Sequence, residues 1–288
     1  MRDIVFGRSR ITVVDKSEQE KLHVRPIFLI GCFRSGTTLL RYLLDSHSLI
    51  CSPPETKFLT HLSGLHKDSE SMQAFGTMGF DDEYVRKRMK HFAEEFFLDY
   101  MAAKKKVRWV DKTPEYVRIL DYIDWMYGEE VDYIFIYRNG LDVTQSMLLQ
   151  SIAVLEPNKN MAKAFEYWFE DALTMLSWRQ KLKGRCCEVF YENLCRNPSD
   201  TMNTIFDFLD VPREDVVDVW FRKRHDMGFE DIKARRQTSI KLSHGNFSAW
   251  SREELDHYKA RAAEVHERLG YDPETLMPRV EVRHRENR

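Results

Sequence analysis

The segment Gly31-Cys32-Phe33-Arg34-Ser35-Gly36-Thr37-Thr38 gathers residue types that hold an oxyanion. A tight turn ahead of a helix aims backbone N–H groups at one point, and the helix N-terminus adds partial positive charge. Gly36 lets the backbone approach an anion closely. Thr37 and Thr38 offer hydroxyl donors. Arg34 adds a permanent charge whose fork fits a tetrahedral oxyanion. The spacing follows the nucleotide phosphate loop, Gly-x4-Gly-Lys-Ser/Thr, but Thr37 stands in the lysine position. A second apolar run ends in Tyr137-Arg138, where many phosphate-loop enzymes carry a magnesium-binding aspartate. Losing both the lysine and the aspartate weighs against metal-dependent nucleoside triphosphate chemistry and predicts a site without a metal.

Such a loop needs a strand before it and a helix after it. Pro26–Ile30 is short, apolar and β-branched, and reads as a buried strand closed by Gly31. The apolar positions Leu39, Leu40, Tyr42, Leu43 and Leu44 predict a helix from Thr37 or Thr38. Val107–Val110, Tyr133–Tyr137 and Val189–Tyr191 read as further strands. Helices are expected over 81–103, after Pro114, from 140 through Leu149, and over 161–182, 199–210 and 251–269. Residues 56–80 and 151–162 read as variable loops, where ligand specificity would reside. Alternating strands and helices predict an α/β fold: a mainly parallel sheet flanked by helices on both faces, with ligands beyond the carboxyl ends of the strands. Residues 1–24 are polar and mixed and read as an irregular lead-in. Residues 25–288 read as one α/β domain.

Bulk properties exclude several classes. A formal net charge of −2 gives no global field for nucleic acid. The clusters Lys104-Lys105-Lys106 and Arg222-Lys223-Arg224 read as solvated faces. Five cysteines without a Cys-x-x-Cys pair, and histidines without zinc spacing, favour reduced thiols in the cytoplasm. The N-terminus shows no apolar leader, and no apolar run suits a membrane span.

The stretch Ile27–Leu40 resembles the 5'-phosphosulfate loop of sulfotransferases that use 3'-phosphoadenosine-5'-phosphosulfate (PAPS). It is most similar to the Arg-Ser-Gly-Thr-Thr branch, which includes tyrosylprotein and bacterial sulfotransferases. Arg138 followed by Ser146 resembles the family's 3'-phosphate motif, Arg-x7-Ser after a strand. Ser52–Thr56 falls where that branch carries the glutamate base, Asp111–Pro114 resembles the Lys-x-Pro segment, and Phe190–Leu194 the Tyr-Glu-x-Leu strand end. Ser239–Gly245 and Trp250 resemble the C-terminal segment covering the nucleotide. The resemblance thus implies that Arg34, Ser35, Gly36, Thr37, Thr38, Arg138, Ser146, Tyr191 and Lys241 bind PAPS and its product PAP (3'-phosphoadenosine 5'-phosphate). It implies catalytic roles for Glu55 as base and for Arg34 and Lys112 at the leaving oxygen.

Rival readings stand beside these. Glu55 could instead be an acid favouring the positive end of a helix begun by Pro53-Pro54. Lys112 could be a surface residue at a helix entry. Histidine serves as base in another branch, which makes His47, His61, His66 and His91 alternatives. The rings of Trp109, Tyr116, Trp125, Trp168 and Trp178 read as core, with one free to stack on adenine or an acceptor. Gln150 stands where the tyrosylprotein enzymes carry a further arginine, so a small-molecule acceptor is expected over a protein tyrosine. A small-molecule kinase or NTPase, and a catalytically silent nucleotide-binding protein, are the competing functions.

Overall fold

The computed structural model describes residues 25–150, 152, 155–156, 158–182, 184–223, 225–226, 238–279 and 282. The expected lead-in over 1–24 lies outside them. Five strands, β1 (Ile27–Ile30), β2 (Ile50–Cys51), β3 (Arg108–Lys112), β4 (Asp132–Tyr137) and β5 (Cys186–Phe190), form one sheet in the order β2-β3-β1-β4-β5. Every pairing is parallel. β1 is central, with Leu29 in register with Lys112 on one side and Ile134 on the other.

Both faces of the sheet are covered, which explains its continuous apolar strands. Side chains alternate across a strand. Phe28, Ile30, Tyr133, Phe135 and Tyr137 therefore enter one core, and Ile27, Leu29, Ile134 and Ile136 the other. The first core is closed by α4 (Asp82–Ala103), α5 (Leu120–Tyr127), α6 (Gly140–Leu148), α7 (Met161–Lys181) and α10 (Arg252–Leu269). The second is closed by α1 (Thr37–Ser46), α8 (Tyr191–Arg196) and α9 (Pro198–Phe208).

Several boundaries differ from the sequence reading. Residues 58–77 are two helices, α2 (Phe58–Lys67) and α3 (Ser69–Thr77), rather than a loop. β3 runs on through Asp111 and Lys112, both fully buried. After Pro114 the chain makes a 3-10 turn (Pro114–Ile119) before α5. Tyr191 opens α8 instead of ending a strand.

Candidate active site

The carboxyl ends of β3, β1, β4 and β5 lie side by side, so each delivers one polar segment to the same edge. β3 ends in Lys112 and β1 runs into the loop 31–38. β4 ends just before Arg138, and β5 just before Tyr191.

The loop after β1 is shaped by close contacts. A Cβ on Gly31 would meet the Ile136 side chain at 2.6 Å and the Ile136 carbonyl at 2.9 Å, so the turn must pass tightly over β4. Gly36 has φ of 90°, and a Cβ there would lie 2.5 Å from the Tyr191 ring. Arg34 also has a positive φ, 69°, a conformation that a non-glycine residue adopts only when its surroundings impose it.

Those surroundings are the second motif. Arg138 donates from Nη1 to the Arg34 carbonyl at 2.7 Å, and Arg34 donates from Nε to Ser146 Oγ at 3.0 Å. Ser146, on the second turn of α6, therefore faces the loop. The Arg138 guanidinium stacks over the Tyr191 ring with its carbon 4.3 Å from the centroid, and Nη2 donates to the Ser243 carbonyl at 2.5 Å. Arg138 Nε is buried and has no hydrogen-bond partner among the described residues. Tyr191 Oη accepts from the Ser243 N–H at 3.2 Å, and burial pushes this phenol well up from its ordinary pKa.

These groups enclose a cavity of about 240 Å³ lined by Arg34, Gly36, Thr37, Thr38, Arg138, Ser146, Tyr191 and Lys241, with Leu39, Leu149, Gln150, Ser243 and Asn246. Every nucleotide-binding residue inferred from the sequence lines it except Ser35. That residue is buried, and its N–H is taken by the Cys32 carbonyl at 3.2 Å. Among the described residues the lining holds three cationic side chains and no carboxylate. An orphaned guanidinium nitrogen and a cationic wall fit a polyanion such as PAP. Among the described residues, no group of three His, Cys, Asp or Glu side chains is placed to hold a metal ion.

Glu55 and Lys112 do not line this cavity. Lys112 Nζ donates to Glu55 Oε1 in an ion pair, with side-chain exposures of 0% for the lysine and 7% for the glutamate. The pair stands on the β3 side of the loop, and Arg138 on the β4 side. Lys112 is therefore not a surface residue. Glu55 does not cap a helix either: α2 starts at Phe58 with no acid in its first turn. Next to the pair, Asp111 accepts from Tyr116 Oη at 2.8 Å. Burial raises its carboxyl to about 7, against the opposing pull of that hydrogen bond and of Lys112.

None of the four rival histidines reaches the cavity. His47 is buried against the Pro212 carbonyl, His66 stacks on Trp125, His91 pairs with Glu95, and His61 is exposed. Trp109, Tyr116 and Trp168 are core residues; Trp125 and Trp178 are partly buried against the same core. Sequence reasoning missed Ser243 and Asn246 as lining residues, although they belong to, or directly follow, the C-terminal segment it singled out. It also missed Asp142, whose buried carboxylate holds that segment.

The chain resembles known proteins. The sulfotransferase family matches residues 26–215. An uncharacterized protein of Aquifex aeolicus (strain VF5) is 27% identical over 230 residues, covering 74% of this chain and 29% of that protein. A protein-tyrosine sulfotransferase of Drosophila melanogaster is 24% identical over 197 residues, covering 66% of this chain and 39% of that protein. The match thus spans less than half the length of these two relatives. Among solved structures, the sulfotransferase domain of the Synechococcus PCC 7002 olefin synthase superposes with a TM-score of 0.64 at 22% identity. It covers 87% of this chain and 97% of that one. The match covers the loop 31–38, the Arg138–Ser146 stretch and more than half of the chain, so the chain belongs to the sulfotransferase family.

Proposed function

We propose that this chain moves the sulfuryl group of PAPS onto a hydroxyl or amine of a small-molecule acceptor. One observation carries the reading: Arg34, Arg138 and Lys241 line a single cavity in which the described residues place no carboxylate, in a chain whose formal net charge is −2. Positive charge concentrated there, against the sign of the whole molecule, suits a ligand with several negative charges. Arg34 and the loop grip one end of such a ligand, and Arg138 and Ser146 the other.

PAPS, when bound, supplies a transferable sulfuryl group and a phosphate leaving group. Glu55 takes the proton of the attacking acceptor. Lys112 holds that carboxylate in place and, with Arg34, donates toward the oxygen on which charge grows. Leu29 and Lys112 are in register just before the loop, which supports a short reach from the pair to the donor. No metal is needed in this scheme.

Gln150 lines the cavity where the tyrosylprotein enzymes carry an arginine, and this supports a small-molecule acceptor. Donor-site residues run from 34 to 246, which supports reading 25–288 as one unit. The five cysteines are free, which supports a reducing, cytoplasmic setting. No helix among the described residues is long and apolar enough to cross a membrane.

Thermal unfolding tests the donor. PAP without metal raises Tm, and ATP with magnesium raises it far less. The opposite order selects a kinase or NTPase. A labelled-sulfate screen of alcohols, phenols and amines follows; PAP binding without transfer to any of them selects a silent nucleotide-binding protein.

A further inference from the structure

Asp142 sits in the first turn of α6 and is fully buried, yet it does not line the donor cavity. A buried carboxylate is costly unless its oxygens are satisfied. Here the partners come largely from the distant segment 244–246. Oδ2 accepts from the Gly245 N–H at 3.1 Å, and Oδ1 accepts from the Asn246 N–H at 2.8 Å and its side-chain amide at 3.2 Å. His244 Nδ1 lies 3.0 Å from Oδ2, and Asn139 Nδ2 donates to Oδ2 at 3.2 Å. The chain thus wraps around one carboxylate just after Lys241 and Ser243, which do line the cavity. The wrapped segment also orients Arg138, through the Ser243 carbonyl, and contacts Tyr191, through the Ser243 N–H.

We propose that Asp142 is a positioning residue for the donor: it pins residues 243–246 so that Lys241 and Arg138 face the bound nucleotide. The inference rests on the donor reading above. The neutral amide of Asp142→Asn would keep the shape but hold the backbone amides more weakly, because hydrogen bonds to an ionised acceptor are the stronger ones.

The test is a double-mutant cycle on the full chain, with PAP as the calorimetric probe. Asp142→Asn weakens PAP about tenfold and Lys241→Ala about fivefold, while the double variant binds no worse than Asp142→Asn alone. That non-additivity separates positioning from a general loss of stability, whose effects would add. If Asp142→Asn does not fold, Gln145→Ala replaces it. Gln145 Oε1 accepts from Trp250 Nε1 at 2.7 Å, beyond the wrapped residues, and does not line the cavity. It should weaken PAP about threefold, again without adding to Lys241→Ala. Unchanged PAP affinity in these variants, or additive losses, overturns the inference while a weakened Lys241→Ala keeps the donor reading. If Lys241→Ala and Arg138→Ala both bind PAP like the parent, the donor reading fails and takes the inference with it.

Discussion

The donor cavity and the Glu55–Lys112 pair stand at the ends of adjacent strands, yet they handle charge in opposite ways. In the cavity, Arg138 donates to two neutral oxygens, the carbonyls of Arg34 and Ser243, and Arg34 donates to the Ser146 hydroxyl. Among the described residues no carboxylate lines the cavity, and the buried Nε of Arg138 is left for an arriving anion. Across the loop, the Lys112 charge is already met by Glu55, and both side chains are buried. A buried ion pair is weak support for stability, but removing one partner strands the other and costs about 3–5 kcal/mol. The contrast separates two tasks. One corner is built to accept charge from outside; the other keeps two opposite charges in place until a reaction uses them.

The largest effect should come from the closed corner. Glu55→Gln is expected to lower kcat by roughly 10²–10⁴-fold once an acceptor is identified, with PAP affinity near that of the parent. Tm should fall as well, because Lys112 is left buried beside a neutral amide. An unchanged kcat would remove Glu55 from the chemistry and leave the pair a purely structural one.

Arg138→Ala should show the reverse pattern. Charged hydrogen bonds are worth about 1.5–3 kcal/mol, so PAP should bind roughly tenfold to a hundredfold more weakly, with donor KM moving more than kcat. If kcat falls as far as affinity, the division between a binding corner and a reacting corner is wrong.

Gly36→Ala sharpens the cavity side further. The new methyl would meet the Tyr191 ring at a position whose φ is already left-handed. A strain of about 1–3 kcal/mol should lower Tm by several degrees and reduce PAP affinity through the displaced ring. Equal Tm values for variant and parent would mean that the ring moves aside freely.

The two corners also differ in how far their sequence announces them. β1 and β4 are legible because both are buried on both faces, β1 being apolar along its whole length and β4 after Asp132. The loop 31–38 is legible because glycine, arginine and hydroxyl residues cluster there for a local reason. Pattern alone ends β3 at Val110 because Asp111 and Lys112 look like solvent residues; their burial depends on Tyr116 and Glu55, which pattern does not pair with them. α2 and α3 look like loop for the opposite reason. Only Leu59 and Ser63 of α2, and no residue of α3, are buried, so neither helix carries a wide apolar stripe. Asp142 escapes notice because its partners lie far along the chain.

The smallest prediction concerns the titration of the closed corner. Asp111 carries a carboxyl raised to about 7 by burial, above the ordinary value of 3.8 that it regains on unfolding. Below that ordinary value the group is protonated in both states and imposes no penalty. As pH rises from 3.8 to about 7, the unfolded chain gives up the proton while the folded protein keeps it, so stability falls across that window and levels off above it. Asp111→Asn removes this titration while keeping an oxygen for the Tyr116 hydroxyl. Across the same window its Tm should therefore fall less than that of the parent. No comparable slope is expected from the described lining of the donor cavity, which contains no carboxylate. Parallel Tm curves for parent and variant would show that Asp111 ionises freely where it stands, and that the β3 corner is better solvated than its burial implies.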